Sequence, residues 1–339
     1  MSIKNDVQVR KDHEIIRNNV GYYDFTHQMI EVTGPQKGAF MDRIFSNSME
    51  SMEVGQAKYT QMLDEKGLII DDLIVFRVTE EAYWISTLYI DQMKEVFEAH
   101  VADFEVEYKD ITNDYTMYAV QGPNSRKVLN KFVDQNIDDM KWFTIAPNQV
   151  GEIPIYISRA GFTGELGFEV FVNPSQKEAV ENKIIETGKE FGIENTTSDA
   201  ILSSLPREKG YVLMSDVAET YPLETGFGWA VDWETDFIGK EALAKVKEAG
   251  THRRLYGFEL VNNDVDEPAI KDGDVVTING EEVGKVTTIT YGFTVNKFIG
   301  YALVDKRKAK IGDQVTINDV QVQLVDRMFY DKDNARLTQ

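Results

Sequence analysis

The 339-residue sequence contains no cysteine. This absence excludes disulfide bonds, thiolate nucleophiles, iron–sulfur clusters held by cysteine and zinc sites of the cysteine type. Basic residues are also few, since 36 Lys and Arg stand against 57 Asp and Glu and the formal net charge is −21. Because this excess of negative charge repels phosphate groups, we expect neither nucleic acid nor an anionic membrane surface as a partner.

Long apolar segments are missing as well. The most apolar stretch of the first third, residues 68–76, contains two aspartates, and no run approaches the roughly 18 apolar residues needed to span a bilayer. The first thirteen residues are polar and mix acids with bases, unlike a signal peptide. We therefore predict a cytoplasmic protein without a membrane segment. The sequence also lacks the GxGxxG and phosphate-loop patterns of nucleotide-binding folds.

The residues that are present have the composition of an ordinary folded protein, with 42% hydrophobic and 27% charged residues. The first three quarters mix short helices and hairpins without regular strand–helix alternation, which predicts an α+β fold. From about residue 249 the pattern changes to short strands separated by turn residues, which predicts a small all-β domain. The strands expected there are Leu255–Leu260, Asp274–Ile278, Glu282–Thr290, Phe298–Leu303, Gln314–Ile317 and Val320–Val325.

Two adjacent acids interrupt an apolar strand. Residues 57–63 and 68–78 predict a hairpin whose turn contains Gly67, and Asp71 and Asp72 lie in its second strand. Neighbouring side chains of a strand point to opposite faces, so at most one of the two acids faces a given cavity. An unpaired buried carboxylate costs several kcal/mol. Either one acid is functional, or both lie near solvent at the end of the hairpin.

The segment 159–170 combines three glycines, two aromatic residues and two carboxylates, Glu165 and Glu169. Glycines let a ligand approach the backbone closely, and a carboxylate can accept two parallel N–H bonds from the edge of a heterocycle. The alternative is a glycine-rich turn between two strands, which the residues alone favour.

Several segments, taken together and in this order, resemble the aminomethyltransferase family. They are Val20–His27, Lys58–Met62, Gly67–Val75, Val120–Pro123, Gly161–Glu165, Gly226–Trp229 and Asp236–Leu243. The family comprises the glycine cleavage T-protein, tetrahydrofolate-dependent demethylases and the folate domains of dimethylglycine and sarcosine dehydrogenases. The resemblance extends over nearly the whole chain.

The resemblance implies a three-domain cloverleaf with a central folate channel, tetrahydrofolate as the cofactor and no metal site. The first α+β domain would comprise residues 1–47 and 113–200, and the second residues 48–112 and 201–248. Residues 249–339 would form a C-terminal domain resembling a β-barrel.

By position, Asp72 matches the family's catalytic aspartate, Tyr59 a tyrosine that lines the folate site, and Glu169 the carboxylate that holds the pterin ring. The other residues expected to contact the folate are Trp142, Phe162, Arg207 and Trp229. With Asp72 in the cleft, strand alternation places Asp71 on the opposite face, where we expect it to meet solvent or a basic residue.

Departures from the family pattern bear on the donor. Thr87 and Ile90 stand where glycine cleavage T-proteins have asparagines, Pro206 stands in place of an arginine, and Arg207 is displaced by one position. These changes favour transfer of a methyl group from a small methylated donor to tetrahydrofolate. One alternative is aminomethyl transfer from a lipoylated carrier protein, as in glycine cleavage. Another is a non-catalytic folate-binding protein.

Overall fold

A computed structural model describes residues 2–339, and this part of the chain contains 17 strands and nine α-helices. The strands are β1 (Gly21–Asp24), β2 (Gln28–Thr33), β3 (Ala57–Leu63), β4 (Ile69–Arg77), β5 (Ala82–Thr87), β6 (Glu107–Asp110), β7 (Thr116–Gln121), β8 (Ile145–Val150), β9 (Ile153–Ser158), β10 (Gly167–Val172), β11 (Glu194–Asn195), β12 (Arg253–Leu260), β13 (Val275–Ile278), β14 (Glu281–Gly292), β15 (Lys297–Asp305), β16 (Gln314–Ile317) and β17 (Val320–Val325). The helices are α1 (Val7–Asn18), α2 (Lys37–Ile44), α3 (Ile90–His100), α4 (Ser125–Leu129), α5 (Lys177–Gly188), α6 (Leu205–Lys209), α7 (Met214–Val217), α8 (Pro222–Thr225) and α9 (Lys240–Ala249). No helix among residues 2–339 is long and apolar enough to cross a membrane.

The first sheet has the strand order β11-β1-β7-β10-β9-β8 and is antiparallel except for the short β1/β11 pair. One of its faces is covered by α4 and α5, and the residues between them form an apolar core that includes Phe168, Val170 and Ile184. Side chains alternate across a strand, so Glu169 and Phe171 project from the opposite face. That opposite face is turned toward the second sheet.

The second sheet has the order β3-β4-β5-β2-β6 and is antiparallel throughout. Its hairpin β3–β4 agrees with the hairpin expected from the sequence, and Gly67 has the positive φ (81°) that the turn needs. Strand β2 belongs to this sheet and helix α2 packs against it, although residues 28–47 were expected in the first domain. Judged by strand pairing, the chain therefore changes sheets near residue 27, about twenty residues earlier than the predicted boundary.

The last six strands close into a barrel in the order β12-β15-β14-β13-β16-β17, with β17 paired to β12. All six strands expected from the sequence are present. Two of the hairpins turn at Asn279 and Asn318, which both have positive φ (51° and 46°), a conformation that asparagine tolerates better than most residues. The α+β fold with a C-terminal β-barrel is therefore confirmed.

Helix α1 begins where the carboxylate of Asp6 accepts hydrogen bonds from the backbone N–H groups of Gln8 and Val9, each at 3.0 Å. Its polar residues His13 and Arg17 are buried as completely as the apolar Val9 and Ile16. Such burial requires partners for their polar groups. Those partners come from α6 and the residue before it, from the loop before β10 and from the barrel, so α1 ties these three parts of the chain together.

Candidate active site

The first and second sheets face each other, and apolar side chains fill much of the space between them. Phe76 of β4 lies against Phe171 of β10, with ring centroids 5.8 Å apart. Alternation along the same two strands places Asp72 and Glu169 on these facing surfaces as well. The two acids therefore project toward the region between the sheets, one from each sheet.

Glu169 is 6% exposed, and within residues 2–339 its carboxylate receives no hydrogen bond. Burial raises the pKa of Glu169 to about 7. The strand register places Tyr23 and Ser158 in the same cross-strand row as Glu169. The hydroxyl groups of these two residues are also buried without a partner among the described residues. This part of the first sheet thus holds polar groups that the protein itself leaves unpaired.

Asp72 is held by Tyr59, whose hydroxyl donates to Oδ2 at 3.1 Å across the β3–β4 pair. Burial raises the pKa of Asp72 to about 6, and the hydrogen bond from Tyr59 opposes part of that rise. The Tyr59 ring lies 5.3 Å from Phe227 and 5.6 Å from Trp229, measured between centroids. Trp229 is 67% exposed. Tyr59, Asp72 and Trp229 therefore form one group that reaches from the interior to the surface.

Asp71 lies on the other face of β4, as alternation requires, but it meets neither solvent nor a basic residue, so that expectation was wrong. It is 1% exposed and faces the core of the second sheet. Its Oδ2 accepts a hydrogen bond from the hydroxyl of Thr87 at 2.7 Å, and no cation among residues 2–339 pairs with it. Burial raises the pKa of Asp71 to about 7.

The raised pKa of Asp71 predicts a pH-dependent effect on stability. An acid whose pKa is higher in the folded than in the unfolded state loses folded-state stability as the pH rises from about 4 to 7. Asp71→Asn removes this titration and keeps an acceptor for Thr87. The melting temperature of Asp71→Asn should exceed that of the wild type by about 4 °C or more at pH 8. Calorimetric scans should show the difference shrinking toward pH 5, and a difference independent of pH would contradict the assignment.

The glycine-rich segment before β10 is a tight loop around Gln121. A Cβ atom added at Gly161 or at Gly167 would lie 2.2 Å from the side chain of Gln121, so neither position accepts a larger residue. Gln121 donates to the carbonyl of Ala160 at 3.1 Å and accepts from the hydroxyl of Thr163 at 2.7 Å. The glycines therefore serve close packing of the loop on β7.

The aromatic residue of this loop, Phe162, stacks on Tyr211 with ring centroids 5.6 Å apart and an interplanar angle of 24°. Both side chains are half-buried. This pair joins the loop to the segment that follows α6. Phe162 is placed near the start of the strand that carries Glu169.

Arg207 is engaged inside the protein. Its guanidinium forms an ion pair with Asp216 and lies over the ring of Tyr301 at 5.3 Å. The carboxylate of Asp216 also accepts a hydrogen bond from the hydroxyl of Thr287 at 2.9 Å. Because this guanidinium is already paired with Asp216, the structure gives Arg207 a packing role and does not bring it to Glu169.

Trp142 lies in the loop before β8 and is 39% exposed. Its ring makes an edge-to-face contact with Phe143 at 4.8 Å. Within residues 2–339 no aromatic contact links it to Tyr59, Phe162 or Trp229.

Sequence reasoning gave no role to the segment that crosses between the sheets. His27 lies at its end, 4.4 Å from the Phe25 ring, and its Nδ1 is 2.7 Å from the hydroxyl of Ser86. Burial lowers the pKa of His27 to about 4, so the imidazole is neutral. His27 is the last residue of the motif Val20–His27, but the family resemblance assigned no role to this histidine.

Comparison with known proteins agrees with this architecture. The family model of the GCVT N-terminal domain matches residues 4–235, and that of the glycine cleavage T-protein C-terminal barrel domain matches residues 253–331. Aminomethyltransferases from Alkaliphilus metalliredigens and Halothermothrix orenii are 32% and 33% identical, over 95% and 91% of this chain and 89% and 86% of their own lengths.

A solved structure shows the same fold. It is the crystal structure of glycine cleavage system aminomethyltransferase T from Bartonella henselae, with a TM-score of 0.85 and 24% sequence identity over 95% of this chain and 89% of that chain. The resemblance seen in the sequence is thereby confirmed, and the chain belongs to the aminomethyltransferase family, whose members are tetrahydrofolate-dependent transferases.

Proposed function

We propose that this protein transfers a one-carbon unit to tetrahydrofolate, and that the unit is the carbon of an aminomethyl group, as the names of its relatives suggest. The amino group then leaves as ammonia and the sulfur stays with the lipoylated carrier as a thiol, while the carbon becomes the methylene group of methylene-tetrahydrofolate. The observation that carries the proposal is Glu169, a nearly buried carboxylate to which no group in residues 2–339 donates a hydrogen bond. Leaving such a group unsatisfied is costly. A ligand with adjacent N–H groups, such as the edge of a pterin ring, satisfies it.

The residues around Glu169 fit this ligand. The hydroxyls of Tyr23 and Ser158 add unpaired polar groups to the same row of the sheet, and the stacked pair of Phe162 and Tyr211 offers an aromatic surface in the loop that leads into β10. We assign the pterin-holding role to Glu169 and a lining role to Phe162. Trp142 remains a predicted contact at the exposed edge of the first sheet.

The second group, Tyr59 with Asp72, supplies the chemistry on the facing sheet. Bound tetrahydrofolate provides a nucleophilic nitrogen, N5. With a pKa of about 6, Asp72 can hold or release a proton near neutral pH, which is the range in which an acid–base group is most effective. Tyr59 fixes the orientation of the carboxylate through its hydrogen bond. Trp229 and Phe227 shield the Tyr59 ring, and Trp229 leaves an exposed aromatic surface beside it.

A second candidate is transfer of a methyl group from a small methylated donor, and one observation favours it. The hydroxyl of Thr87, which stands where glycine cleavage enzymes have an asparagine, donates to the buried Asp71. Ile90, at the other such position, is 4% exposed and packs in the core of the second sheet. Neither side chain carries an amide that could contact an aminomethyl donor, and both are engaged inside the second sheet.

The test compares donors under one set of conditions. The protein is incubated with tetrahydrofolate and either an aminomethylated lipoyl carrier protein or a panel of sulfonium and aryl methyl ether donors. Mass spectrometry then distinguishes methylene-tetrahydrofolate from methyl-tetrahydrofolate. Methylene product with the carrier supports the main proposal. Methyl product supports the second candidate, and folate binding without either product would support a non-catalytic binding protein.

The pKa of Glu169 also predicts how folate binding depends on pH. If the ionised carboxylate accepts the N–H groups, binding below pH 7 requires Glu169 to lose a proton first, and the apparent affinity falls about tenfold between pH 8 and pH 6. The variant Glu169→Gln cannot titrate and should lack this component. Calorimetric titration of both proteins over this range isolates Glu169, because the ligand titrates equally in both. Parallel pH profiles would count against the role of Glu169.

A further inference from the structure

After the barrel closes at β17, residues 326–339 cross from the barrel to the first sheet, and we call this segment the strap. Near its start, the backbone N–H groups of Phe329 and Tyr330 both donate to the carbonyl oxygen of Glu208 at 2.9 Å. The ring of Phe329 is parallel to that of Tyr301, with centroids 6.4 Å apart. The strap is therefore packed against α6 and the barrel before it reaches the glycine-rich loop.

Polar groups of the strap converge on Glu165 in that loop. The hydroxyl of Tyr330 donates to Oε1 at 2.7 Å, and Nε of Arg336 donates to Oε2 at 2.9 Å. Arg17 of α1 completes the set with its Nη1 at 3.2 Å from Oε1. Glu165 is only 2% exposed. Two of its three partners thus come from the strap.

The strap also holds the start and the middle of the loop. Arg159, at one end, donates through Nη2 to the carbonyls of Leu337 at 3.0 Å and Gln339 at 2.8 Å. Further along, Lys209 donates to the carboxylate of Asp331 at 2.8 Å. The side chain of Lys209 lies directly on Gly164, where an added Cβ atom would be 2.8 Å away. The loop is therefore held between α6 and the strap.

The strap reaches the Asp72 side as well. The guanidinium of Arg327 lies over the ring of Phe227 at 4.9 Å and donates to the carbonyl of Thr225 at 2.6 Å. Phe227 contacts Tyr59, which holds Asp72. One short segment thus contacts both the loop that leads into the Glu169 strand and the aromatic residue that packs on Tyr59.

We propose that the strap is a clamp that holds the loop 159–167 in position, with Arg336 as its positioning residue. Through the loop it orients Phe162 and the start of β10, which carries Glu169, toward the folate. The effect on folate rests on the proposed function, whereas the clamping of the loop does not. Ion pairs to a buried carboxylate are a weak source of stability but can specify a conformation, and the convergence of Tyr330 and the partly exposed Arg336 on one buried loop carboxylate has this character.

The experiment uses Arg336→Ala, with Tyr330→Phe as a milder second variant in case the first fails to fold. Arg307→Ala is the matched control, because Arg307 is exposed, pairs with Asp305 at the end of β15, and forms no hydrogen bond or ion pair with the strap in the described part of the chain. Hydrogen exchange followed by mass spectrometry reports on residues 159–169. Calorimetry gives the folate dissociation constant, and steady-state kinetics separate KM for folate from kcat.

Both strap variants should increase amide exchange in residues 159–169, by about tenfold for Arg336→Ala, while exchange in the barrel strands stays as in the wild type. The folate dissociation constant and KM should rise about five- to tenfold with kcat within about twofold. Arg336→Lys should recover part of the loss, and Arg307→Ala should change nothing.

Unchanged exchange in residues 159–169 would overturn the clamp. A uniform increase over all three sheets would also overturn it, because the strap would then contribute only global stability. If the loop exchanges faster as expected but the wild type does not bind tetrahydrofolate, the clamp stands and the proposed function fails.

Discussion

Replacing Asp72 by asparagine is expected to lower turnover about 100-fold, the scale of one acid–base contribution. Asparagine keeps the size of the side chain and can still accept the hydrogen bond from Tyr59, so the geometry of the strand is preserved. It cannot hold or release a proton near neutral pH. Folate affinity should change little, because the pterin is assigned to Glu169 on the facing sheet.

The neighbouring residue provides the control for this experiment. Asp71→Asn makes the same chemical change one position away, on the face of β4 that packs in the core. It should raise stability at alkaline pH and keep turnover within about twofold. Turnover and thermal unfolding are measured on both variants. Full activity of Asp72→Asn with the true donor, or reversed effects of the two substitutions, would show that Asp72 is not the catalytic acid.

Glu169→Ala should weaken tetrahydrofolate binding by about 1.5 to 3 kcal/mol, the range for hydrogen bonds to a charged group. This corresponds to a dissociation constant about 10- to 150-fold higher. The hydrogen bonds lost are those between Glu169 and the ligand, since no group in the described part of the chain donates to this carboxylate. For the same reason the protein should not be destabilised by losing an internal hydrogen bond.

Isothermal calorimetry on the wild type, Glu169→Ala and Glu178→Ala measures this effect. Glu178 is an exposed acid on α5 and lies in the helical layer outside the site, so its replacement controls for the change in net charge. Equal affinity of all three proteins would remove Glu169 from the folate site. A loss seen equally in both variants would point to long-range electrostatics.

Much of the fold could be predicted from the sequence because its signals are local. The hairpin β3–β4 has a period-2 pattern and a glycine turn, and the barrel strands alternate regularly between turn residues. The change of sheet between β1 and β2 has no local signal in the sequence, because only residues 25–27 separate the two strands. What separates the two strands is the packing of each on a different sheet, which is a long-range property.

The candidate site divides in the same way. Strand alternation alone places Asp71 and Asp72 on opposite faces, as observed. The sequence could not show that Asp71 is buried against Thr87, because these residues meet only when β4 and β5 pair. The partner of Arg207 is similarly invisible, since Asp216 is reached through the turn between α6 and α7. Side-chain pairing, not secondary structure, was the missing information.

Along the chain, all strands of the second sheet lie between β1 and β7 of the first sheet, and this order affects how the chain can fold. The second sheet is formed entirely by residues 28–110, whereas β1 must pair with β7 almost a hundred residues later. Once the second sheet has formed, its paired strands β2 and β6 bring the end of β1 close to the start of β7, so closing the long loop between β1 and β7 costs little further entropy. During synthesis, residues 28–110 emerge before β7 does. We therefore expect the second sheet to form first and the first sheet to form after it.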